Sequence, residues 1–359
     1  MAMDTKLKLR DWAGVSDLIL DLIYQKLPSL SDCLCFGAVC KPWFFFVSNN
    51  NYDALRQRTG SSSVEELPLL MIFKDRASAS TANTSLYSVT RGKIVMDLEI
   101  PLGWTHRCCG SSHGWLAFQG DFSFALYNPF TREKIDLPRL ELTATKVILS
   151  KNPSANPNDY EVMAMSRNWG ESRLAILKPS SSYWKFVRIL TGCPKCDVIY
   201  YDERYYVVDY GGKVFSIDNT TLKYTEIAPD YGYGGFIEFY LVQTTTNELL
   251  RVHILRPQYK PSRVKILKLV ASPMTPESRI EQLDSLGDEA LFLCQHSSMS
   301  VLASQFSGCK SNSRSEYCSV DIVHLQDDSF NSHCSFDKLI HDTHATMPPA
   351  SWIIPTLKL

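Results

Sequence analysis

Past residue 68 the chain repeats one unit, a strand, a polar turn and a second strand, at a spacing that few architectures use. Phe124–Tyr127 run into Asn128-Pro129-Phe130-Thr131 and then Ile135–Leu137. Leu174–Leu177 run into Lys178-Pro179-Ser180-Ser181 and then Trp184–Val187. Val214–Ile217 run into Asp218-Asn219-Thr220-Thr221 and then Tyr224–Ile227. The turns begin at 128, 178 and 218, so they lie 50 and 40 residues apart. A period of roughly 40–50 residues is that of a four-stranded propeller blade, and residues 68–359 have room for about six or seven. One such sheet alone leaves two faces and two edges open; radial packing covers the faces and leaves short, protected edges. A sandwich plus a second β domain would also give short strands and turns. The segment Trp352-Ile353-Ile354-Pro355 is placed to pair with Leu69–Phe73 and close a ring.

Local signals agree with a meander. Phe122, Phe124 and Leu126 alternate with small or polar residues, as a strand requires. Asp202-Glu203 joins Val198–Tyr201 to Tyr205–Asp209, and Gly211-Gly212 joins that run to Val214–Ile217; both are hairpin signals.

The first fifty residues follow a different period. Ile19, Leu22, Ile23 and Leu27 fall at helical spacing, widened by Leu18 and Leu20, with Ser16 or Asp17 as cap and Pro28 as stop. Ser31 or Asp32 can cap a second helix carrying Leu34, Phe36, Val39 and Cys40, and Pro42 can start a third from Trp43 to about Leu55. The expected organisation is an all-α module over 1–59, a linker over 60–67 marked by Gly60-Ser61-Ser62-Ser63, and a β-propeller over 68–359. So small a helical unit buries little surface by itself and needs a neighbour or a partner.

Charge narrows the partners. With 37 basic and 38 acidic residues the net charge is −1, and nothing resembles the clustered basic surface of a nucleic-acid binder. No run approaches the roughly 18 apolar residues of a membrane helix, and the first residues lack the apolar stretch of a signal peptide. Eleven scattered cysteines then read as reduced thiols in the cytoplasm or nucleus.

Four motifs invite a chemical reading. Gly110-Ser111-Ser112-His113-Gly114 has the spacing of a hydrolase elbow, but Trp115–Phe118 reads as another strand where the elbow needs a helix. Cys193 and Cys196 form a Cys-x-x-Cys, yet Cys294, Cys309, Cys318, Cys334, His333, His341 and His344 lie at spacings that do not complete a zinc site. Cys108 and Cys109 are adjacent and would face opposite ways on a strand. Tyr231–Gly235 lacks the lysine and the following helix of a phosphate loop and reads as a turn. Trp104, Trp169 and Trp184 read as packing residues, and no cofactor or metal is expected.

Two sets of residues carry a family resemblance. Trp12, Val15, Ile19, Leu20, Leu22, Ile23, Leu27, Asp32, Phe36, Val39, Cys40 and Trp43 resemble an F-box, with Val39-Cys40-x-x-Trp43 the most specific part. Val15-Ser16 stands where F-boxes usually have Leu-Pro, and Phe44 where Arg usually follows the Trp. Gly110–Leu116, Tyr127–Thr131, Ile135-x-Leu137-Pro138, Leu286–Phe292 and Trp352-x-x-Pro355 are similar to a plant family that joins an F-box to a β-propeller of the KIB type. The resemblance implies a mainly β protein with a three-helix F-box. It also implies a non-catalytic substrate receptor of an SCF-type cullin-RING ubiquitin ligase. Its partners would be a Skp-family adaptor, through it a cullin, and a protein substrate. Candidate adaptor-binding residues are Val15, Ile19, Leu20, Leu22, Ile23, Leu27, Leu30, Val39, Cys40 and Trp43. The alternative is a non-ligase propeller scaffold with a degenerate F-box.

Overall fold

The computed structural model describes residues 12–27, 36–37, 39–40, 42–43, 46–47, 69–75, 82–88, 93–101, 107–121, 123–166, 173–179, 181–187, 194–229, 237–255, 263–270, 279–294, 296–305, 313–316, 319–324, 330–332 and 351–353. The joint expected at 60–67 lies outside them, as do Leu30 and most of the second and third helical stretches. Among the described residues there is one α-helix, α1 (Asp17–Tyr24), preceded by a 3-10 turn at Trp12–Gly14. Residues 36–37, 42–43 and 46–47 are also helical. The expected helix was longer, to Leu27. The amides of Lys26 and Leu27 instead bond to Ile23 and Tyr24, a tighter winding that ends the helix ahead of Pro28.

The β body is a propeller of consecutive antiparallel sheets. Strands β1 (Leu69–Asp75), β2 (Ala82–Ser88) and β3 (Lys93–Ile100) begin the first sheet. The second holds β4 (Arg107–Ser112), β5 (Trp115–Gln119), β6 (Phe124–Tyr127) and β7 (Lys134–Leu137). The third holds β8 (Lys146–Leu149), β9 (Val162–Met165), β10 (Leu174–Leu177) and β11 (Lys185–Val187). The fourth holds β12 (Lys195–Tyr201), β13 (Arg204–Asp209), β14 (Val214–Asp218) and β15 (Tyr224–Ala228). The fifth holds β16 (Ile237–Gln243), β17 (Leu249–Leu255), β18 (Arg263–Val270) and β19 (Arg279–Leu283).

A further, irregular sheet is five-stranded: β20 (Glu289–Leu293), β21 (Met299–Leu302), β22 (Ser313–Glu316), β23 (Ser319–His324) and β24 (Phe330–Ser332). Its order is β21-β20-β22-β23-β24, with β20 and β22 parallel. Finally β25 (Ser351–Ile353) pairs antiparallel with β1, Leu70 opposite Trp352, so the first sheet is built from both ends of the propeller segment. Five regular four-stranded blades and the irregular sheet are thus seen among the described residues, where six or seven blades were expected, and of the three expected helices only α1 is described as a complete element.

The innermost strands β25, β4, β8, β12, β16 and β21 touch in that order around the axis. Gly110 on β4 is required there: a Cβ at this position would collide with the backbone of Val147 on β8. Middle strands such as β6, β9 and β10 are buried on both faces because each sheet lies between two others. The outermost strands β7, β11 and β15 are largely exposed and carry charges such as Lys134, Asp136, Lys185 and Glu226.

The repeat seen in the sequence is one corner of three successive sheets, the turn from third to fourth strand. At two of these corners the geometry is the same. Asn128 Oδ1 accepts the amides of Phe130 and Thr131, and Asp218 Oδ1 those of Thr220 and Thr221. Arg132 and Leu222 then take φ of 60° and 57° to return the chain. At the third corner the amide of Ser181 bonds the Lys178 carbonyl.

Polar groups near the axis fasten sheet to sheet. Asp197 on β12 accepts from the Lys146 ammonium of β8, from its own neighbour Val198 N, and from Leu241 N of β16. One carboxylate thereby ties three sheets, in a setting where both partners of the ion pair are buried. Within the fourth sheet, Lys195 is buried between Asp209 at 3.7 Å and the Phe215 ring at 5.1 Å. Glu289 accepts the amide of Thr245, 3.0 Å away, from the β16–β17 corner.

Candidate functional site

An eight-residue helix is too short to hold its shape alone, so α1 depends on what it packs against. Ser16 supplies the extended residue before it, and its carbonyl accepts the amides of Ile19 and Leu20; its hydroxyl makes no cap bond. Asp17 in the first turn complements the helix dipole. Leu20 and Tyr24, four residues apart, form the inner face and are 1% and 3% exposed. The Tyr24 ring lies 5.9 Å from both Phe36 and Phe46, and the Phe36 ring sits tilted 4.4 Å from that of Trp43. Trp43 Nε1 donates to the Trp12 carbonyl at 2.8 Å, which fixes the preceding turn to this cluster.

The outer face is apolar too, and its large side chains are exposed among the described residues. Leu18 is 80% exposed, Leu22 61%, Ile19 52% and Ile23 36%. Trp12 and Val39, both more than half exposed, extend the apolar surface beyond the helix. Fully covering one such Leu or Ile is worth about 1.5–3 kcal/mol, so a partner gains by occupying this face.

Of the candidate residues, Ile19, Leu22, Ile23 and Val39 are therefore at the surface. Val15, Leu27 and Cys40 are half-buried against the core. Leu20 and Trp43, also among the candidates, lie inside. Periodicity could not separate them, because α1 is apolar on nearly every side. Leu18 and Trp12, absent from the candidate set, are the residues that reading missed; Leu18 was visible in the sequence as the residue that widens the stripe.

The rival chemistries find little footing. Ser112 ends β4, a two-residue turn through His113 (φ 52°) and Gly114 (φ 77°) follows, and β5 begins at Trp115. The Ser112 hydroxyl exchanges hydrogen bonds with the backbone of Leu149 on β8, so it fastens two sheets and does not stand free on an elbow. Cys108 and Cys109 face opposite sides of β4 and belong to different buried clusters. Burial raises the Cys108 thiol to about 12 and raises that of Cys109 as well. Cys196 is buried with its thiol on the Val208 carbonyl; Cys193, Cys309, Cys318, Cys334, His333, His341 and His344 lie outside the described residues. Among the described residues no group of three or more metal-ligating side chains converges, and no helix is long and apolar enough to cross a membrane. Trp184 stacks on Phe124 and donates to the Pro138 carbonyl, a packing role. Trp104, Trp169 and Tyr231–Gly235 are outside the described residues.

Comparison with known proteins follows the same division. Residues 86–319 match the family model described as KIB1-4 beta-propeller. A probable F-box protein of Arabidopsis thaliana is 24% identical over 335 residues, covering 84% of this chain and 83% of that protein. A second Arabidopsis F-box protein is 25% identical over 210 residues, covering 47% of this chain and 53% of its own length. Among solved structures, TolB from Acinetobacter baumannii aligns over 79% of this chain and 68% of that one at 10% identity and a TM-score of 0.42.

Proposed function

The chain belongs to the KIB1-4 beta-propeller family, and from that premise we propose that it is a substrate-recognition subunit of an SCF-type cullin-RING ubiquitin ligase. The F-box names of its Arabidopsis relatives support this reading. The observation that carries it is the outer face of α1: Leu18, Ile19, Leu22 and Ile23 stay exposed while Leu20 and Tyr24 are packed. A Skp-family adaptor would lay an apolar groove over that face, a helix-in-groove contact, with a cullin joined through the adaptor. The propeller would hold a protein target. Its contribution is proximity: it raises the effective concentration of target lysines near a charged ubiquitin carrier. The chain itself supplies no nucleophile in this scheme. Such a receptor would work in the cytoplasm or nucleus.

The test is binding of the full-length protein to a purified Skp-family adaptor by calorimetry. Wild type should bind at micromolar affinity or tighter. Ile23→Asp should weaken binding by about thirtyfold or more, equivalent to a hot-spot loss of about 2 kcal/mol. Val15-Ser16 in place of Leu-Pro favours a second reading, a propeller scaffold with a degenerate F-box. A wild-type protein that ignores the adaptor at micromolar concentration would establish it and end the first.

A further inference from the structure

The inner face of the helical module does not form a core of its own. One continuous buried cluster runs from Leu20 and Tyr24 of α1 to Leu69 and Leu70 of β1 and to Trp352 and Ile353 of β25. The other buried clusters lie between neighbouring sheets and contain no helical residue. The helix thus shares its buried cluster with the sheet that β25 completes, and with Phe118 of the second sheet and Phe292 of the irregular one.

The closing strand is short, three residue pairs with β1, and its hold is concentrated in Trp352. Trp352 Nε1 donates to the Leu293 carbonyl at 3.2 Å, its own carbonyl accepts the Ser297 hydroxyl at 2.9 Å, and its ring meets Phe292 edge-on at 5.0 Å. These contacts draw the irregular sheet against the first. An eight-residue helix has little stability apart from its packing. Whatever orders this cluster therefore orders α1.

We propose that docking of β25 conditions the recruiting helix: α1 presents its outer face in binding form only when the propeller has closed beneath it. Ile353 and Trp352 are positioning residues for α1, acting through the shared core and not by touching a partner. The consequence for binding rests on the proposed adaptor role; the coupling itself does not. A chain lacking its closing strand would then fail to recruit although every recruiting residue is present.

Hydrogen exchange of the α1 amides in the full-length protein tests this, together with adaptor affinity. Ile353→Ala removes side-chain volume from the shared cluster; Ile217→Ala removes the same volume from a buried cluster between β8–β11 and β12–β15. Exchange across residues 17–24 should quicken by about tenfold in Ile353→Ala and stay within about twofold of wild type in Ile217→Ala. Adaptor affinity should fall by about fivefold or more in the first and hold in the second. Should Ile353→Ala not fold, Ile353→Val and Ile217→Val give the same comparison, with about a threefold expected change in exchange. Equal α1 exchange in the two members of a pair overturns the coupling. If wild type does not bind the adaptor, the receptor reading fails by itself, and exchange still decides whether β25 holds α1.

Discussion

Strand β6 and helix α1 are about equally apolar, yet one disappears into the molecule and the other does not. All four residues of Phe124–Tyr127 are buried, because sheets stand on both sides. In Asp17–Tyr24 only Leu20 and Tyr24 are buried. A closed circle of sheets supplies each member with two neighbours from the same chain. Helix α1 packs one side into its cluster, and among the described residues its second apolar side stays exposed. An apolar stretch signals that a surface will be covered; the architecture decides whether the same chain covers it.

If that contrast is right, changes inside the propeller cost stability and changes on the outer face of α1 do not. Asp197→Ala should cost most, about 3–5 kcal/mol in urea unfolding, since it strands the buried Lys146 ammonium and frees Leu241 N. A loss under about 1 kcal/mol would mean that the axis is held by packing and not by this carboxylate. Gly110→Ala should cost about 1–3 kcal/mol by forcing β4 away from β8.

The paired corners give a smaller and sharper test. Hydrogen bonds from the Thr221 amide and hydroxyl hold the Asp218 carboxyl below the usual aspartate range. Its folded-state pKa is depressed, so its contribution is complete above the ordinary aspartate value and vanishes as pH falls through the lowered one. Asp218→Ala should cost about 1 kcal/mol or less near neutrality, and that cost should fade once the pH drops below the lowered value. Asn128→Ala should show no such acid dependence, because the same turn is there made by a neutral amide. The smallest effect belongs to Leu22→Asp, whose unfolding should stay within about 0.5 kcal/mol of wild type. A larger loss would mean that the outer face is already in use inside the chain.

Much of the propeller was legible beforehand. Asp202-Glu203 makes the two-residue turn expected of it, with φ of 46° and 59°, and Tyr201 faces Arg204 across it. Trp352 pairs where its position suggested. These features are written in local chemistry: positive φ, hydroxyl and amide caps, apolar runs between turns. What lay hidden depends on neighbours distant in sequence. Phe124 and Leu126 read as one covered face, but Ala125 and Tyr127 are buried as well, and a period of two says nothing about a second layer. Lys146, Lys195 and Asp197 are among the most buried polar residues, and no local pattern marks them as such. The parallel pairing of β20 with β22 has no local signature. For α1, composition gave the helix and its apolar character but not which side points inward, since Leu20 and Leu22 are chemically the same.

The outer strands carry a last implication. A propeller exposes one backbone edge per sheet, and here β7, β11 and β15 are three to five residues long and studded with Lys, Asp or Glu. A foreign strand seeking backbone partners would meet short, charged rungs. At these three sheets a foreign strand therefore gains little by pairing with the rim.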